Sequence, residues 1–471
     1  MMDILTIFDL GFLVVFSLFV IIFLYSRKKN LKREGLMYLY RTSWGLKLID
    51  YVGTKYKRTL SFLSYISITL GYILMGSMIY FLGKIVYIYV AYPQVVRTIK
   101  VPPIMPLIPY LPQMFKLDFL PPFYFTYWIV IIAIIAITHE FAHGIFARHA
   151  GVKVKATGFG FLGPFLAAFV EPDEEHMEKK SIFSQMAILS AGTFANVLTA
   201  IFFLGVLWIF FITCFTASGV VFDTYSYSPV ALSSIVAVNG IAIEGATYDK
   251  VLNSINGGKF DKIETTGGDY LATRDILERQ TGDEEYLVLY DDAPAINAGL
   301  RGAIIEINDA EITNLDILKS ELNKYSIGET IKVETKTNEG VEEFNILLER
   351  NPDKDSVWLG IGFSNPGSKG IIGKMYVALS SFKENHVYYE ANWIGGMFIY
   401  DLLWWIILIS ISVALVNMLP IGIFDGGRVF YLTILAITKS DAKAKKAFKF
   451  MTYLFLLLVV ILMGFWLKSF F

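Results

Sequence analysis

Two histidines and a glutamate lie near the end of an apolar run that is long enough to cross a membrane. The segment AITHEFAHGIFARHAG occupies residues 136–151, and the run FTYWIVIIAIIAIT leads into it. A charge at membrane depth costs about 2.5–3.5 kcal/mol on insertion scales, so groups retained there usually have a function. His139 and His143 are four residues apart, and on a helix they project from one face, one turn apart. Two imidazoles placed in this way can bind one Zn²⁺ ion.

Glu140 completes the pattern H-E-x-x-H. On a helix it points about 100° away from His139, so it can reach a water on the metal without occupying a ligand position. That is the position of a general base in zinc-dependent hydrolysis. The alternative is a pair of buried histidines with a glutamate partner, which would be a serious reading in a soluble helix. Because the match lies in an apolar span, the sequence favours the metal site.

A catalytic zinc site normally has three protein ligands and one water, so a third ligand is needed. His149 is a poor candidate because it lies six residues beyond His143, close to the membrane surface. His176 and His386 lie in polar loops. A carboxylate at the same membrane depth fits better, and Asp425 in NMLPIGIFDGGRVF (417–430) has the suitable context.

The chain around Asp425 predicts a break between two helices. Asn417 ends one apolar span and Pro420 stops its helix. Asp425 and Gly426 then start a new helix, with Asp425 at the N-cap. An ordinary loop with an aspartate cap is the alternative, and in isolation it would be preferred. Beside an intramembrane H-E-x-x-H, a third zinc ligand becomes the better interpretation.

The composition is that of a membrane protein. The 471 residues are 55% hydrophobic and have a mean hydropathy of +0.53, whereas soluble domains are about 45–50% apolar. The 38 Phe, 27 Tyr and 8 Trp suit aromatic belts at two membrane interfaces. A net charge of −1 gives no basic field for nucleic acid. The single cysteine, Cys214, excludes an intramolecular disulfide and a cysteine-based zinc site.

Hydropathy predicts about six transmembrane helices and no cleaved signal peptide. The predicted spans are 10–25, 61–83 with apolar character continuing past Lys84, 124–146, 184–212, 395–419 and 447–467. Residues 26–60 hold ten Lys/Arg against two acids, and 439–449 hold five lysines. By the positive-inside rule these segments are cytoplasmic, so both termini are extracytoplasmic in a multi-pass protein of the cell membrane. The HEFAH motif then lies toward the cytoplasmic side.

Residues 214–394 are more polar and predict an extracytoplasmic α+β insert between the membrane regions 1–213 and 395–471. Two stretches within it resemble each other, SPVALSSIVAVNGIAI (228–243) and APAINAGLRGAIIEINDAEI (293–312). The order of strand, turn, strand, helix and strand hairpin resembles a PDZ domain. We therefore expect PDZ-like units at about 217–282 and 283–350, with an unrelated α+β insert as the alternative.

Residues 151–170, GVKVKATGFGFLGPFLAAFV, have strand-like alternation, several glycines and Pro164. This segment is too broken to span a membrane as a helix, and we expect a re-entrant β-hairpin near the active site. Its free edge would be suited to pair with an unwound substrate by strand addition. A loop on the cytoplasmic surface is the alternative.

H-E-x-x-H in one span and N-x-x-P-x-x-x-x-D-G in a later one resemble the site-2 protease family of intramembrane zinc metalloproteases, in its archaeal and bacterial branch with a PDZ insert. PPIMPLIPYLP (102–112), GFLGPFLAAFVEPDEE (160–175) and AGTFAN (191–196) support the resemblance. It implies Zn²⁺ held by His139, His143 and Asp425, with Glu140 as the base. It also makes Asn417 and Asn196 polar supports of the site, beside Pro420 and Gly426 in the aspartate motif. Thr193 departs from the family, in which many members have proline.

The predicted function is therefore a zinc metalloendopeptidase that cleaves peptide bonds within transmembrane segments, as in regulated intramembrane proteolysis. Its partners would be a transmembrane protein substrate and the lipid bilayer, without nucleic acid. A catalytically silent membrane scaffold that presents PDZ-like domains is the main alternative. A transporter using the same charged groups would show internal repeats among its spans, and the sequence shows none.

Overall fold

A computed structural model describes residues 4–35, 37–92, 102, 105–117, 120–162, 165–280, 285–337, 339–352, 354–364 and 382–468. The chain divides into a mainly helical unit, Met1–Ile209 with Met397–Phe471, and a sheet-rich unit, Phe210–Gly396.

Within the described residues, the structure has six helices that are long and apolar enough to cross a membrane, judged by length and composition. Each coincides with one of the predicted spans, and the helix at 57–91 continues past Lys84 as the sequence indicated. They are α1 (Ile4–Ser26), α3 (Lys57–Ala91), α5 (Phe125–His149), α7 (Ile182–Cys214), α12 (Gly396–Asn417) and α14 (Asp441–Lys468).

Shorter helices lie between these spans. They are α2 (Leu46–Lys55), α4 (Leu111–Met114), α6 (Glu174–Glu178) and α13 (Asp425–Thr438). The α13 helix corrects the expectation that Asp425 is an N-cap. The N-cap residue is Phe424, and Asp425 is the first residue of the helix. The carboxylate of Asp425 approaches two histidines of α5 instead of capping its own backbone.

The helical unit also contains a four-stranded antiparallel sheet in the order β1-β2-β3-β4. Its strands are β1 (Leu31–Glu34), β2 (Met37–Thr42), β3 (Val154–Leu162) and β4 (Phe165–Pro172). Strands β3 and β4 form a hairpin where the sequence predicted one, and its turn, with Pro164, lies outside the described residues. Strands β1 and β2 come from residues 26–60, where the sequence predicted only a cytoplasmic loop.

Glycine permits the close pairing of β2, β3 and β4. A Cβ atom on Gly158 would lie 2.3 Å from the carbonyl oxygen of Tyr40 and 2.5 Å from the ring of Phe169. Any side chain at this position would push the neighbouring strand or ring away. The glycines of this segment are therefore part of the sheet geometry, not only of its turn.

Two clusters of buried apolar side chains pack the helices that carry His139, His143 and Asp425. One joins α2, α5, β4 and α7 through Ile49, Phe146, Val170 and Ile188. The other joins α3, α7, α12 and α13, and its members include Leu74, Leu189, Met418 and Val429. The helix that carries the histidines and the helix that carries the aspartate therefore both pack against α7.

The sheet-rich unit is built around two six-stranded sheets. The first contains β7 (Tyr227–Ala231), β8 (Ile235–Val238), β9 (Ile241–Ala242), β10 (Asp261–Thr265), β11 (Gly268–Ala272) and β12 (Tyr286–Asp291), with helices α8 (Tyr248–Ser254) and α9 (Arg274–Glu278). The second contains β5 (Phe215–Val221), β13 (Ala303–Ile307), β14 (Ala310–Glu311), β15 (Thr330–Thr337), β16 (Gly340–Leu347) and β20 (Val387–Ala391), with α10 (Pro294–Ala298) and α11 (Leu315–Leu322).

Short two-stranded pairs complete this unit. They are β6 (Thr224–Tyr225) with β19 (Ile361–Gly362), and β17 (Glu349–Arg350) with β18 (Val357–Trp358).

The predicted boundary between the two units of the insert, at 282/283, lies too early. Strand β12 pairs with β7 and β11, so the first sheet extends to Asp291. The second sheet also takes β5 and β20 from outside the predicted range 283–350. The second sheet therefore contains the first strand of the unit, β5, which pairs with β13 about 80 residues later. The whole first sheet lies between these two strands in the sequence.

The two sheets share a local architecture, as the similar stretches suggested. In each, a strand leads through an asparagine turn to a short strand, a side-chain-capped helix and a hairpin. The side chain of Asn239 accepts the N–H of Lys262, and that of Asn308 accepts the N–H of Lys332. Both asparagines have positive φ, 50° and 45°.

Candidate metal centre

The helix α5 presents His139 and His143 on one face, and the start of α13 brings Asp425 to them. The two Nε2 atoms are 3.0 Å apart. Oδ2 of Asp425 lies 3.5 Å from Nε2 of His139 and 3.4 Å from Nε2 of His143. All three side chains are largely buried. Residues that are about 280 positions apart in the sequence thus direct three ligand atoms at one point.

These three distances fit a single zinc ion. Ligands at 2.0–2.1 Å from a tetrahedral zinc are separated from each other by about 3.3 Å. The separations of 3.0, 3.4 and 3.5 Å lie around this value. Two neutral imidazoles and one carboxylate are also a donor set that zinc accepts in catalytic sites, in which a fourth position stays open.

The hydrogen bonding of His143 leaves the correct nitrogen available. Its Nδ1 lies 2.7 Å from the carbonyl oxygen of Ile188 in α7. A carbonyl oxygen only accepts, so Nδ1 carries the hydrogen and donates it. In the neutral imidazole the lone pair is then on Nε2, which faces Asp425 and His139. A backbone acceptor behind a histidine is the usual arrangement that orients a metal ligand.

Asn196 contacts Nδ1 of His139, as the carbonyl of Ile188 contacts Nδ1 of His143. Its side chain is fully buried in α7, and its amide lies 3.0 Å from Nδ1 of His139. In this orientation the amide oxygen has no hydrogen-bond partner among the described residues. Turning the amide by 180° would let the oxygen accept a hydrogen from Nδ1 and would free Nε2 of His139 for a metal, while the amide nitrogen would then occupy the position without a partner.

Glu140 is held by the sheet. Its Oε2 accepts a hydrogen bond of 3.0 Å from the backbone N–H of Val170 in β4. The hairpin predicted beside the site therefore contacts the glutamate of the H-E-x-x-H motif. The bond engages one oxygen of the carboxylate, Oε2.

Gly192 is a site residue that the sequence reasoning did not single out. A Cβ atom there would lie 2.4 Å from Nε2 of His143 and 2.5 Å from Nε2 of His139. The helix α7 thus approaches the two imidazoles so closely that only hydrogen fits. The small residues Ser190, Ala191 and Gly192 in a row were the available signal.

The turn before Asp425 depends on close backbone contact. Pro420 is buried after the end of α12. A Cβ atom on Gly426 would lie 2.3 Å from the backbone carbonyl group of Met418, so glycine lets α13 start against that turn. Asn417 ends α12 and lines a cavity of about 390 Å³. Among the described residues, the structure brings Asn196, but not Asn417, into hydrogen-bond contact with the ligand cluster.

The remaining histidines lie away from the cluster. Nε2 of His149 is 3.2 Å from the hydroxyl of Ser61. His176 is exposed on the short helix α6. Nδ1 of His386 is 3.4 Å from Asp223 in the sheet-rich unit. Their placement agrees with the choice of Asp425 as the candidate third ligand.

Comparison with known sequences assigns the family. The sequence profile of Peptidase family M50 matches residues 127–462, well over half of the chain. This chain belongs to peptidase family M50. The resemblance to the site-2 proteases is thereby confirmed, and the matched range of this M50 chain includes all three candidate ligands.

Two relatives extend the comparison. The M50 chain is 36% identical over 138 residues to the uncharacterised protein MJ0971 of Methanocaldococcus jannaschii, which covers 29% of this chain and 33% of the relative. It is 24% identical over 216 residues to the zinc metalloprotease RasP of Shouchella clausii, covering 40% of this chain and 51% of that protein. The matches thus span about a third and about half of these curated relatives.

Proposed function

We propose that this M50 chain is an intramembrane zinc endopeptidase that hydrolyses peptide bonds within transmembrane segments of membrane proteins. The observation that carries the proposal is the convergence of Asp425, at the start of α13, on His139 and His143 of α5, a helix of membrane-spanning length that also carries Glu140. Peptidase family M50 and the likeness to a zinc metalloprotease support the same chemistry.

The residues have distinct roles in this proposal. When zinc is bound by the three ligands, it supplies a Lewis acid that polarises the scissile carbonyl and acidifies water. Glu140 takes the proton of the attacking water, with its position set by the N–H of Val170. Ile188 and Asn196 orient the imidazoles. Asn417 is a donor for the oxyanion, and Pro420 and Gly426 shape the turn that presents Asp425.

The hairpin of β3 and β4 serves substrate binding in this proposal. A transmembrane helix hides its carbonyl groups in its own hydrogen bonds, so the segment must unwind before hydrolysis. Strand β4 ends the sheet order β1-β2-β3-β4, and it already contacts Glu140. A re-entrant hairpin would offer this edge to the unwound substrate by strand addition.

The sheet-rich unit provides two PDZ-like modules on the extracytoplasmic side. Their shared strand, asparagine turn, capped helix and hairpin support this assignment. The ten basic residues of 26–60 support a cytoplasmic position for that segment. The active site then faces the cytoplasmic half of the membrane, and the modules screen substrates on the other side.

Metal content and a single isosteric substitution test the proposal. Purified protein should contain one zinc by elemental analysis and should cleave members of a panel of tagged single-span membrane proteins in shared vesicles. Glu140→Gln keeps a hydrogen-bond acceptor for Val170 and should retain zinc, yet lose cleavage by several orders of magnitude. Glu175→Gln, which changes an exposed acid on α6, is the matched control.

The results separate the enzyme from the scaffold. Zinc together with cleavage that depends on Glu140 supports the endopeptidase. Equal cleavage by wild type and Glu140→Gln rejects the proposed mechanism. The silent scaffold is favoured if the protein does not bind zinc and does not cleave any substrate, while its folded sheet-rich unit still binds peptides.

A further inference from the structure

We propose that α2 and its flanks form a binding surface for anionic phospholipid headgroups, and that this contact controls the position of the H-E-x-x-H helix. We call residues 44–58 the basic-aromatic surface. The lipid contact stands on its own, whereas its effect on catalysis rests on the function proposed above.

The outer face of α2 carries aromatic and apolar groups in a helical spacing. Leu48, Tyr51 and Lys55 are three and four residues apart, so they lie on one side of the helix. Leu48 is 54% exposed and Tyr51 is 51% exposed, and Trp44 just before the helix is 56% exposed. These three large exposed groups lie within eight residues of each other, and an exposed apolar patch of this kind indicates an interaction surface.

Basic groups accompany these rings. Lys47 and Lys55 are exposed, and Nζ of Lys55 lies 4.6 Å from the centre of the Tyr51 ring. Lys57 and Arg58 follow directly. A short helix with aromatic and aliphatic groups on one side and lysines beside them is the composition that binds at a membrane surface.

The nearby acid does not neutralise this surface. Asp50 forms an ion pair with Arg148 at the end of α5. On the helix, Asp50 points about 160° away from Leu48. The side of α2 that carries Leu48 and Tyr51 is therefore left with positive charge, which attracts phosphate groups of anionic lipids.

Chain connectivity places the surface at a membrane boundary. The spanning helix α1 ends at Ser26, and the spanning helix α3 begins at Lys57. The segment between them must lie where both helices leave the bilayer. A lipid headgroup is for this reason a better partner than a soluble acidic protein.

The inner face of α2 contacts the H-E-x-x-H helix itself. Ile49 is fully buried, and its Cδ1 would lie 3.0 Å from a Cβ atom on Gly144, the residue after His143. A Cβ atom on Gly53 would lie 2.7 Å from Cβ of Arg148. The ring of Trp44 lies 5.5 Å from that of Phe141, the residue after Glu140.

These contacts connect the lipid surface to the catalytic motif. Phe141 and Gly144 flank His143 within α5, and both are packed against α2 or its first turn. Protein interiors have little free space, so a shift of α2 is transmitted to the helix behind it. Headgroups that seat α2 would thus hold His139, Glu140 and His143 in their working positions.

A fluorescent probe tests the lipid contact without any assay of cleavage. The full chain, with Cys214→Ser and Leu48→Cys, is labelled with a polarity-sensitive dye and reconstituted in phosphatidylcholine vesicles, with or without phosphatidylglycerol. We expect a blue shift of the emission with phosphatidylglycerol. Lys47→Gln/Lys55→Gln should abolish the shift, and Lys47→Arg/Lys55→Arg should retain it. Equal emission in both kinds of vesicle overturns the proposal.

Two controls identify the source of the signal. Lys259→Gln/Lys319→Gln changes the net charge equally on exposed residues of the sheet-rich unit and should leave the shift intact. Inorganic phosphate added to phosphatidylcholine vesicles should produce no shift. If free phosphate reproduces the shift, the surface binds phosphate as such and the lipid assignment is wrong.

Cleavage measured in the same vesicles tests the link to catalysis. A lysine close to an anionic surface contributes roughly fivefold to binding, so two lysines contribute roughly 25-fold. Cleavage should rise with phosphatidylglycerol in wild type and in the Lys259/Lys319 control, but not in Lys47→Gln/Lys55→Gln. A rise that is equal in all three rejects the coupling. No cleavage in any of them, with the probe shift intact, rejects the proposed function and leaves the lipid contact standing.

Discussion

Substitution of Gly192 by alanine should weaken zinc binding while leaving the fold intact. The added methyl group would lie 2.4 Å from Nε2 of His143 and 2.5 Å from both Nε2 and Cε1 of His139. Ordinary contact begins at 3.4 Å, so a displacement of about 1.0 Å is required. The atoms in the way are the candidate ligand nitrogens themselves.

The expected magnitude follows from how firmly those nitrogens are held. His143 is fixed from behind by the carbonyl of Ile188, and His139 by Asn196, so neither ring can retreat without losing a hydrogen bond. Loss of such supporting contacts costs roughly 10–100-fold in metal affinity. A displacement of 1 Å at a reacting group costs roughly 100-fold in rate. Alanine favours a helix over glycine by about 0.5–1 kcal/mol, which offsets part of the roughly 1–3 kcal/mol cost of overpacking, so the metal-free protein should stay folded with a modestly lower Tm.

Zinc titration with a competing chelator, together with thermal unfolding of the metal-free protein, measures both quantities. The matched control is Gly205→Ala on the same helix, where a Cβ atom would have no neighbour within 4 Å in the part of the chain that the structure describes. Gly205→Ala should keep wild-type zinc affinity and the same or a higher Tm. If Gly192→Ala binds zinc as tightly as the control does, α7 does not constrain the imidazoles, and the site geometry derived above is wrong.

Five further substitutions test other parts of the structure. Asp425→Ala should lose zinc in elemental analysis, whereas His149→Ala should retain it. Gly426→Ala should lower both Tm and zinc content, because its methyl group would meet the Met418 carbonyl at 2.3 Å. Asp9→Asn should lower the stability by about 1–3 kcal/mol with zinc retained, because the two carboxylate oxygens of Asp9 accept the N–H groups of Phe125 and Thr126 at the start of α5, at the opposite end from His139, and the amide nitrogen of asparagine cannot accept. Burial raises the pKa of Asp223, but hydrogen bonds from Ser364 and the charge of His386 lower it more, so the net pKa lies below its usual value. The stabilisation from Asp223 is therefore complete at neutral pH and lost as the pH falls through the lowered pKa, and acid unfolding of Asp223→Asn should lack this component.

The parts of the site that were predictable are those encoded by local spacing or by chemical type. His139 and His143 are four residues apart, so helix geometry alone places them together. Asp425 is distant in sequence, and it was recognised from its motif, NMLPIGIFDGGRVF, at the same predicted membrane depth as the histidines. The spanning helices followed from hydropathy over about 20 residues. Each of these inferences needs only one segment of the chain at a time.

The contacts that orient the candidate ligands could not be predicted from a local sequence pattern. Ile188 acts through its backbone carbonyl, so its side chain carries no information about the contact. Gly192 acts through the absence of a side chain, and glycine has many other uses in helices. Only the packing of α7 against α5 gives both residues their role, and that packing depends on residues about 50 positions apart in sequence.

In the sheet-rich unit, too, the local turns could be predicted from the sequence, whereas the pairing of distant strands could not. Asn239 and Asn308 sit in turns that the sequence marked, and both bind the N–H of a lysine in a neighbouring strand as expected for related modules. The partner of β13 is β5, however, which precedes the whole first sheet, and Val221 pairs with Ala303. No local pattern distinguishes this pairing from a tandem arrangement, because either one buries the same apolar face. Val221 and Ala303 are about 80 positions apart, so their pairing is a long-range contact that no local window of the sequence reports.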